Sequence, residues 1–229
     1  MKAFYRKYGH ALPVILFGAV YLIGFALLEN RGHADYRIVH MTIDDYIPFC
    51  EIFVVPYLIW FLYVPAVLVY LFFRDRKGYR NNAVFLCVGM AVFLIVSAIC
   101  PNIQQLRLQE FPRDNVFTHL IGLLWKTDTP TNLFPSIHVY NSLGAHFAVM
   151  HNRTLSKKKW IRRGSLVLCV SVILSTMLIK QHSAFDVLTA FLMGAIMHAA
   201  VYSFDLAEVW RVRLRYQAFR RARKRPRIG

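Results

Sequence analysis

A histidine and an aspartate, His182 and Asp186, stand four residues apart where a long apolar run begins. Side chains at positions i and i+4 lie on one face of a helix, within hydrogen-bonding reach. A carboxylate on one imidazole nitrogen fixes the tautomer and leaves the other nitrogen as a nucleophile or base. Asp186 is also the only acidic residue well inside the last three apolar runs, a depth that favours a functional role. The alternative is a purely structural His–Asp pair.

A second histidine, His138, follows Phe134-Pro135-Ser136-Ile137 at the start of another apolar run. Proline followed by a serine that can act as an N-cap predicts that a helix begins here. A helix N-terminus offers free N–H groups and the positive end of a dipole, which suit a phosphate. His138 would place a proton donor beside that anion. The alternative is a histidine satisfied within the polar face of a helix bundle.

The elements that position these residues are apolar segments long enough for a membrane. The chain of 229 residues is 57% hydrophobic, with a mean hydropathy of +0.40, which is typical of a membrane protein. We predict an all-α, polytopic bundle of six transmembrane helices over residues 1–204, followed by a basic cytoplasmic tail at 205–229. The predicted spans are 11–28, 49–73, 82–100, 136–150, 165–181 and 183–204.

The distribution of Lys and Arg predicts the orientation. With six spans, the segments on one side carry 22 of the 28 Lys and Arg residues, and the other side carries six. The positive-inside rule therefore places both termini in the cytoplasm. His138 and His182, which open the fourth and sixth spans, then share the extracytoplasmic or lumenal face. Between the third and fourth spans, residues 101–135 form a long connection with a possible amphipathic helix at Asn115–Trp125.

Two histidines, an orienting carboxylate, a helix N-terminus and nearby cations form a coherent set for phosphoryl transfer. A metal site built from His138, His182 and Asp186 is the less favoured alternative, because acidic metal-binding clusters are missing and the surroundings are basic. We therefore expect neither a metal nor another cofactor.

The motif Pro135-Ser136-Ile137-His138, followed by His182-x-x-x-Asp186, resembles the second and third signature motifs of the type 2 phosphatidic acid phosphatase superfamily. These are integral-membrane lipid phosphate phosphatases with a six-helix core. The form Lys180-Gln181-His182-x-x-x-Asp186-Val187 resembles the branch nearer the sphingomyelin and inositol phosphorylceramide synthases, which transfer phospho-headgroups. The resemblance covers about residues 100–190. It implies that His182 attacks phosphorus to give a phosphohistidine, Asp186 orients it, His138 protonates the leaving lipid oxygen, and Ser136 contributes to the phosphate pocket.

The sequence departs from the family pattern in its cations. The first family motif is Lys, six residues, then Arg-Pro; Arg107 matches the Arg, but Leu108 replaces the Pro and Cys100 the Lys. The third motif normally opens Ser-Arg, and here it reads Ser175-Thr176. Phosphate stabilisation is therefore expected to be weaker or differently arranged. The candidates for phosphate binding are the cations Arg107, Lys180, Arg113 and Lys126.

The leading hypothesis is an enzyme that cleaves a phosphoester or diphosphate bond of a membrane lipid through covalent His182. Water as the acceptor gives a phosphatase, and an alcohol headgroup or second lipid gives a transferase of the sphingolipid-synthase type. A non-catalytic transporter or scaffold of the same fold is the alternative from another class, although no paired repeats with broken helices are found. The net charge of +16 lies beside the spans and in the tail, where anionic lipid headgroups rather than nucleic acid are the expected partners.

Overall fold

Seven α-helices form most of the computed structural model, which describes residues 9–31 and 35–204. Within these ranges the only strands are β1 (Arg37–Ile38) and β2 (Asn102–Ile103), which pair in parallel. The prediction of an all-α polytopic bundle is confirmed, and the basic tail at 205–229 lies outside the described residues. The helices are α1 (Leu12–Glu29), α2 (Val54–Arg74), α3 (Arg76–Ile99), α4 (Val116–Thr127), α5 (Ile137–His151), α6 (Lys159–Leu178) and α7 (Ala184–His198).

Five helical segments are long and apolar enough to cross a membrane, and the predicted fourth span differs from them. That span forms α5, which has 15 residues and is about 22 Å long at ~1.5 Å per residue, against a hydrocarbon core of about 30 Å. Two other predicted spans, 82–100 and 165–181, begin earlier in the structure, because basic residues before them form the first turns of α3 and α6. The five segments are Gly9–Glu29, Glu51–Arg74, Arg76–Ile99, Lys159–Leu178 and Ala184–Ser203.

The short helix α5 lies at the centre of the bundle, in contact with α2, α3, α6 and α7. Its packing against α3 depends on two glycines. A Cβ on Gly89 would lie 1.9 Å from a ring carbon of Tyr140, and a Cβ on Gly144 would lie 2.7 Å from a ring carbon of Phe85. The Tyr140 ring stacks on Phe85 with centroids 4.5 Å apart. Close approach of the two backbones thus holds α5 in place, although it is too short to span the bilayer by itself.

The outer surface of the bundle is apolar. Helix α1 has no buried residue, and its side chains Ile15, Leu22 and Leu27 are all more than half exposed. Large exposed side chains of this kind continue along α2, α6 and α7. A contiguous apolar surface of this extent would be unstable in water and suits a lipid environment.

The connections between helices gather at two opposite ends of the bundle. At one end, Asn152 after α5 donates a 2.8 Å hydrogen bond to the carboxylate of Asp75, the single residue between α2 and α3. At the other end, Glu29 of α1 accepts hydrogen bonds from Thr129 and, at 3.0 Å, from Asn132. This second end, formed by residues 30–31, 35–53, 100–136 and 179–183, is called the site end below, because the predicted functional residues lie there.

Candidate active site

Two helices begin side by side at the site end. Ser136 is the N-cap of α5, as the sequence predicts, and its hydroxyl accepts from the Val139 N–H at 3.4 Å. Ser183 caps α7, and Asp186 completes a capping box by accepting from the Ser183 N–H at 3.0 Å. The caps are joined, because the Ser136 N–H donates to the main-chain oxygen of Asp186 at 3.3 Å. Both helix N-termini thus direct their positive dipole ends to the same region, although the first N–H groups of α7 already have protein acceptors.

The His182–Asp186 pair forms by a different route from the one expected. Helix α7 begins at Ala184, so His182 precedes the N-cap and does not share a helical face with Asp186. Instead the carboxylate of Asp186 reaches back out of the first turn, as in a capping box. It accepts from the Ser183 N–H and lies 3.3 Å from His182 Nδ1. The expected contact is present, but the i,i+4 reason given for it is wrong.

His138 and His182 lie in direct contact. His138 is the second residue of α5, and its Nδ1 lies 3.4 Å from His182 Nε2. Both side chains are buried, and Asp186 is fully buried behind them. A proton on His182 Nδ1 directed at the carboxylate leaves the lone pair of Nε2 pointing at His138. The line Asp186–His182–His138 therefore has the layout of an oriented nucleophile with an acid–base group beside it.

Aromatic side chains of α2 surround His138. The ring centroid of Tyr57 lies 4.5 Å from that of His138, and the centroid of Trp60 lies 4.4 Å away. Phe61 adds an edge contact at 6.3 Å. These rings restrict the orientation of the imidazole. They cannot be identified from the sequence, because aromatic residues in an apolar span look the same in the wall of a site as in ordinary core.

The same geometry bears on the metal alternative. Asp186 and His138 lie on opposite nitrogens of His182, so the three groups form a line and do not converge on one point as metal ligands must. Within the described ranges, no group of three or more His, Cys, Asp or Glu side chains is arranged to hold a metal ion.

Arg107 lies at the edge of this site. Its guanidinium donates to the main-chain oxygen of Trp125 at 2.9 Å, to that of Asp128, and to Gln181 Oε1 at 3.0 Å. Burial lowers the pKa of Arg107, and the nearby Asp128 carboxylate opposes that effect. Arg107 thus reaches the side chain next to His182, while its donors serve protein acceptors.

Lys180 is tied to a segment that precedes α2. Its Nζ donates to the main-chain oxygens of Asp44 at 3.0 Å and Ile47 at 2.5 Å. Burial lowers the pKa of Lys180, and Asp44 and Asp45 oppose this shift. Lys180 also has a φ of 56°, a left-handed conformation that costs a residue with a Cβ about 1 kcal/mol or more. These contacts are those of a residue that fixes the α6–α7 turn.

The two remaining cations lie apart from the histidines. Arg113 is bound to the carboxylate of Glu51 at 2.9 Å, and Asn115 donates to the same carboxylate at 3.2 Å. Glu51 is buried by this arrangement. Lys126 is exposed in the last turn of the amphipathic helix α4, which forms as predicted. In the described chain neither cation has a hydrogen bond or ion pair with His138 or His182.

A further carboxylate, that of Asp44, positions the site. Asp44 is buried. It accepts from the Ser183 hydroxyl at 2.5 Å and from the Ala184 N–H at 2.7 Å. A negative charge at a helix N-terminus satisfies an orphan donor and complements the dipole. Asp44 therefore holds the start of α7, next to His182, and nothing local in the sequence distinguishes it from a surface aspartate.

Of the comparisons with known proteins, one gives a match. Neither the curated proteins nor the solved structures contain a match to this chain. A family model matches residues 102–210, a range that contains Ser136, His138, His182 and Asp186. That model describes a superfamily whose members are in general phosphatases or phosphotransferases, and the resemblance to its synthase-like branch stays a prediction. Residues 102–210 thus match the PAP2 superfamily.

Proposed function

We propose that this protein is a membrane enzyme that cleaves a phosphoester or diphosphate bond of a lipid, with His182 as the nucleophile. The PAP2 superfamily match supports lipid phosphoester chemistry in general. The observation that carries the mechanism is the buried line in which Asp186 lies 3.3 Å from one nitrogen of His182 and His138 lies 3.4 Å from the other.

In the proposed first step, His182 Nε2 attacks phosphorus and the bond to the lipid oxygen breaks. Asp186 holds the proton on Nδ1, and His138 gives a proton to the leaving oxygen. In the second step an acceptor hydroxyl loses its proton to His138 and attacks the phosphohistidine. The nitrogens of the two histidines lie 3.4 Å apart, so a phosphoryl group between them requires the rings to separate when substrate binds.

The proposed phosphate site relies on helix N-termini as much as on cations. Ser136 and the first N–H groups of α5 supply donors, and the N-terminus of α7 adds a positive dipole end. Arg107 is the cation with the best claim, since it is linked to the site through Gln181. The contacts of Lys180 and Arg113 favour roles in the surrounding frame instead, and Lys126 lies exposed on α4. N–H groups would balance less of the negative charge of the phosphate than the cations of the usual family pattern do.

The proposal also covers the acceptor of the phosphoryl group and the side of the membrane on which the site lies. Hydrolysis is the first activity to assay, and transfer to an alcohol is the second, favoured by the Lys180-Gln181-His182-x-x-x-Asp186-Val187 form. We place both termini in the cytoplasm and the site on the extracytoplasmic or lumenal face, on the strength of the Lys and Arg distribution. The basic tail at 205–229 would then meet anionic headgroups of the cytoplasmic leaflet.

The test is turnover by the purified protein of phosphatidate, prenyl diphosphates and phospholipid donors, with and without an acceptor alcohol. We expect His182→Ala to abolish turnover. The matched control is His119→Ala, which removes an exposed histidine that pairs only with exposed Asp114 in the described chain; it should retain wild-type turnover. Unchanged turnover in His182→Ala would sink the covalent mechanism.

A further inference from the structure

A second carboxylate, that of the partly buried Asp128, lies behind His138. The Tyr57 hydroxyl donates to Asp128 Oδ2 at 2.8 Å, and the same hydroxyl oxygen lies 3.5 Å from His138 Nδ1. Tyr57 is fully buried in α2, and Asp128 directly follows the last residue of α4. The chain Asp128–Tyr57–His138 therefore repeats, with one hydroxyl inserted, the arrangement that Asp186 makes with His182.

The position of Asp128 is fixed by its other partners. Gln181 Nε2 donates to the same oxygen, Oδ2, at 2.6 Å, and Gln181 is itself fully buried. Arg107 donates to the main-chain oxygen of Asp128 and to Gln181 Oε1. The positive charge of Arg107 thus lies beside the partly buried Asp128 and helps to hold it in place. The Tyr57 hydroxyl hydrogen is thereby committed to Asp128, and the hydroxyl oxygen remains as an acceptor.

An acceptor in that position favours one protonation state of His138. A hydroxyl that donates to a carboxylate becomes a stronger acceptor, because hydrogen bonds in a chain polarise one another. It can accept from the N–H at His138 Nδ1. In the substrate-free site His138 Nδ1 also faces His182 Nε2. Once a phosphoryl group separates the two rings, Tyr57 is the neighbour that stays.

We propose that Tyr57 and Asp128 are positioning residues that hold the Nδ1 proton of His138 and stabilise its charged ring, so that the other nitrogen donates to the leaving lipid oxygen. The inference rests on the proposed function of His138 as the acid. Cleavage moves the P–O electron pair to the lipid oxygen and one proton from His138 to that oxygen. The acceptor hydroxyl returns a proton to His138 in the second step. Tyr57 and Asp128 keep their protonation states throughout.

The ionisable groups around His138 determine the sign of the expected pH effect. Tyr57 and His182 face its ring directly, Asp186 lies behind His182, and Asp128 with Arg107 lies behind Tyr57. Because the acid must be protonated, the rate falls as pH rises along the basic limb of the pH–rate profile. Removing the charge of Asp128 weakens the protonated state of His138. The basic limb should then move to lower pH, by about one pH unit if the carboxylate acts like a nearby opposite charge.

The experiment compares pH–rate profiles of kcat for the wild type, Tyr57→Phe, Asp128→Asn and Asp128→Glu. Tyr57→Phe removes one oxygen and conserves the ring, and thermal unfolding checks that each variant is folded. We expect the basic limb to move to lower pH in Tyr57→Phe and Asp128→Asn, and to return toward the wild-type position in Asp128→Glu.

The matched control is Tyr63→Phe. Tyr63 also lies on α2, but its buried hydroxyl contacts Ser165 Oγ at 2.7 Å, next to His146 rather than to His138 or His182, so its profile should not move. If the basic limb of the pH–rate profile stays at its wild-type position in Tyr57→Phe and Asp128→Asn, the inference is overturned, however far the rate itself falls. If His182→Ala is inactive and the limbs do not move, only the role of Tyr57 and Asp128 fails. If His182→Ala keeps turnover, the proposed function itself fails.

Discussion

Replacing Asp44 by alanine tests whether a carboxylate far from His182 in sequence holds the turn that carries it. Asp44 accepts two hydrogen bonds at the start of α7, one from the Ser183 hydroxyl and one from the Ala184 N–H. The substitution leaves both donors buried without that partner. A hydrogen bond to a charged group contributes about 1.5–3 kcal/mol, and loss of a helix cap costs about 0.5–2 kcal/mol. Since these effects overlap, we expect the free energy of unfolding to fall by about 2–4 kcal/mol.

The same change should reach the chemistry. The cap residue Ser183 directly follows His182, so a looser start of α7 displaces the imidazole relative to His138. A displacement of about 1 Å at a reacting group can cost roughly a hundredfold in rate, and we expect Asp44→Ala to lower kcat by about ten- to a hundredfold on this basis. Unfolding is followed by heat or denaturant in detergent, and kcat is measured with whichever lipid phosphate the wild type turns over.

The neighbouring aspartate supplies the control. Asp45 is exposed, and its carboxylate pairs with His40 at 2.8 Å on the surface. Exposed pairs contribute about 0–1 kcal/mol, so Asp45→Ala should keep both stability and kcat near wild type. If the two alanine variants lose stability and rate to the same extent, the reasoning from the α7 cap is refuted.

Two further predictions concern the frame of the site. Gly89→Ala should destabilise the bundle by about 1–3 kcal/mol or prevent folding, since overpacking forces the Tyr140 ring and the α3 backbone apart. The control Gly18→Ala, with nothing within 4 Å of its added Cβ, should unfold like the wild type. Equal melting temperatures for both variants would contradict the packing of α3 on α5. Arg107→Lys should have a melting temperature well below that of Lys126→Ala, because a lysine cannot make the three hydrogen bonds that the planar guanidinium donates. Melting curves that coincide for these two variants would show that the contacts of Arg107 do not stabilise the protein.

What the sequence predicts well is local. Ser136 and Pro135 mark the start of α5, and the spacing of His182 and Asp186 brings them into contact. The reason for that contact was misjudged, because a capping box places Asp186 in the first turn and His182 outside the helix. Side chains at i and i+4 and a box across the N-cap both leave the two residues within reach, so spacing alone does not separate them.

What the sequence does not reveal depends on contacts between distant segments. Asp44 reaches Ser183 across 139 positions, and Asp128 reaches Tyr57 across 71. No periodicity or motif encodes such a pairing, since it arises when several helix connections pack together at the site end. The same holds for the cations. Charge type and membrane side single out Lys180 and Arg113, whereas the structure shows each of them bound to partners in the frame.

The most direct test of the central claim is to trap the covalent intermediate. The protein is mixed with a lipid substrate labelled with ³²P in the transferred phosphoryl group, quenched in alkali within milliseconds to seconds, and digested for mass spectrometry. The account predicts an alkali-stable, acid-labile phosphate on His182, present in the wild type and lost in His182→Ala. A phosphate found on another residue, or turnover with no phosphohistidine at any quench time, would contradict it.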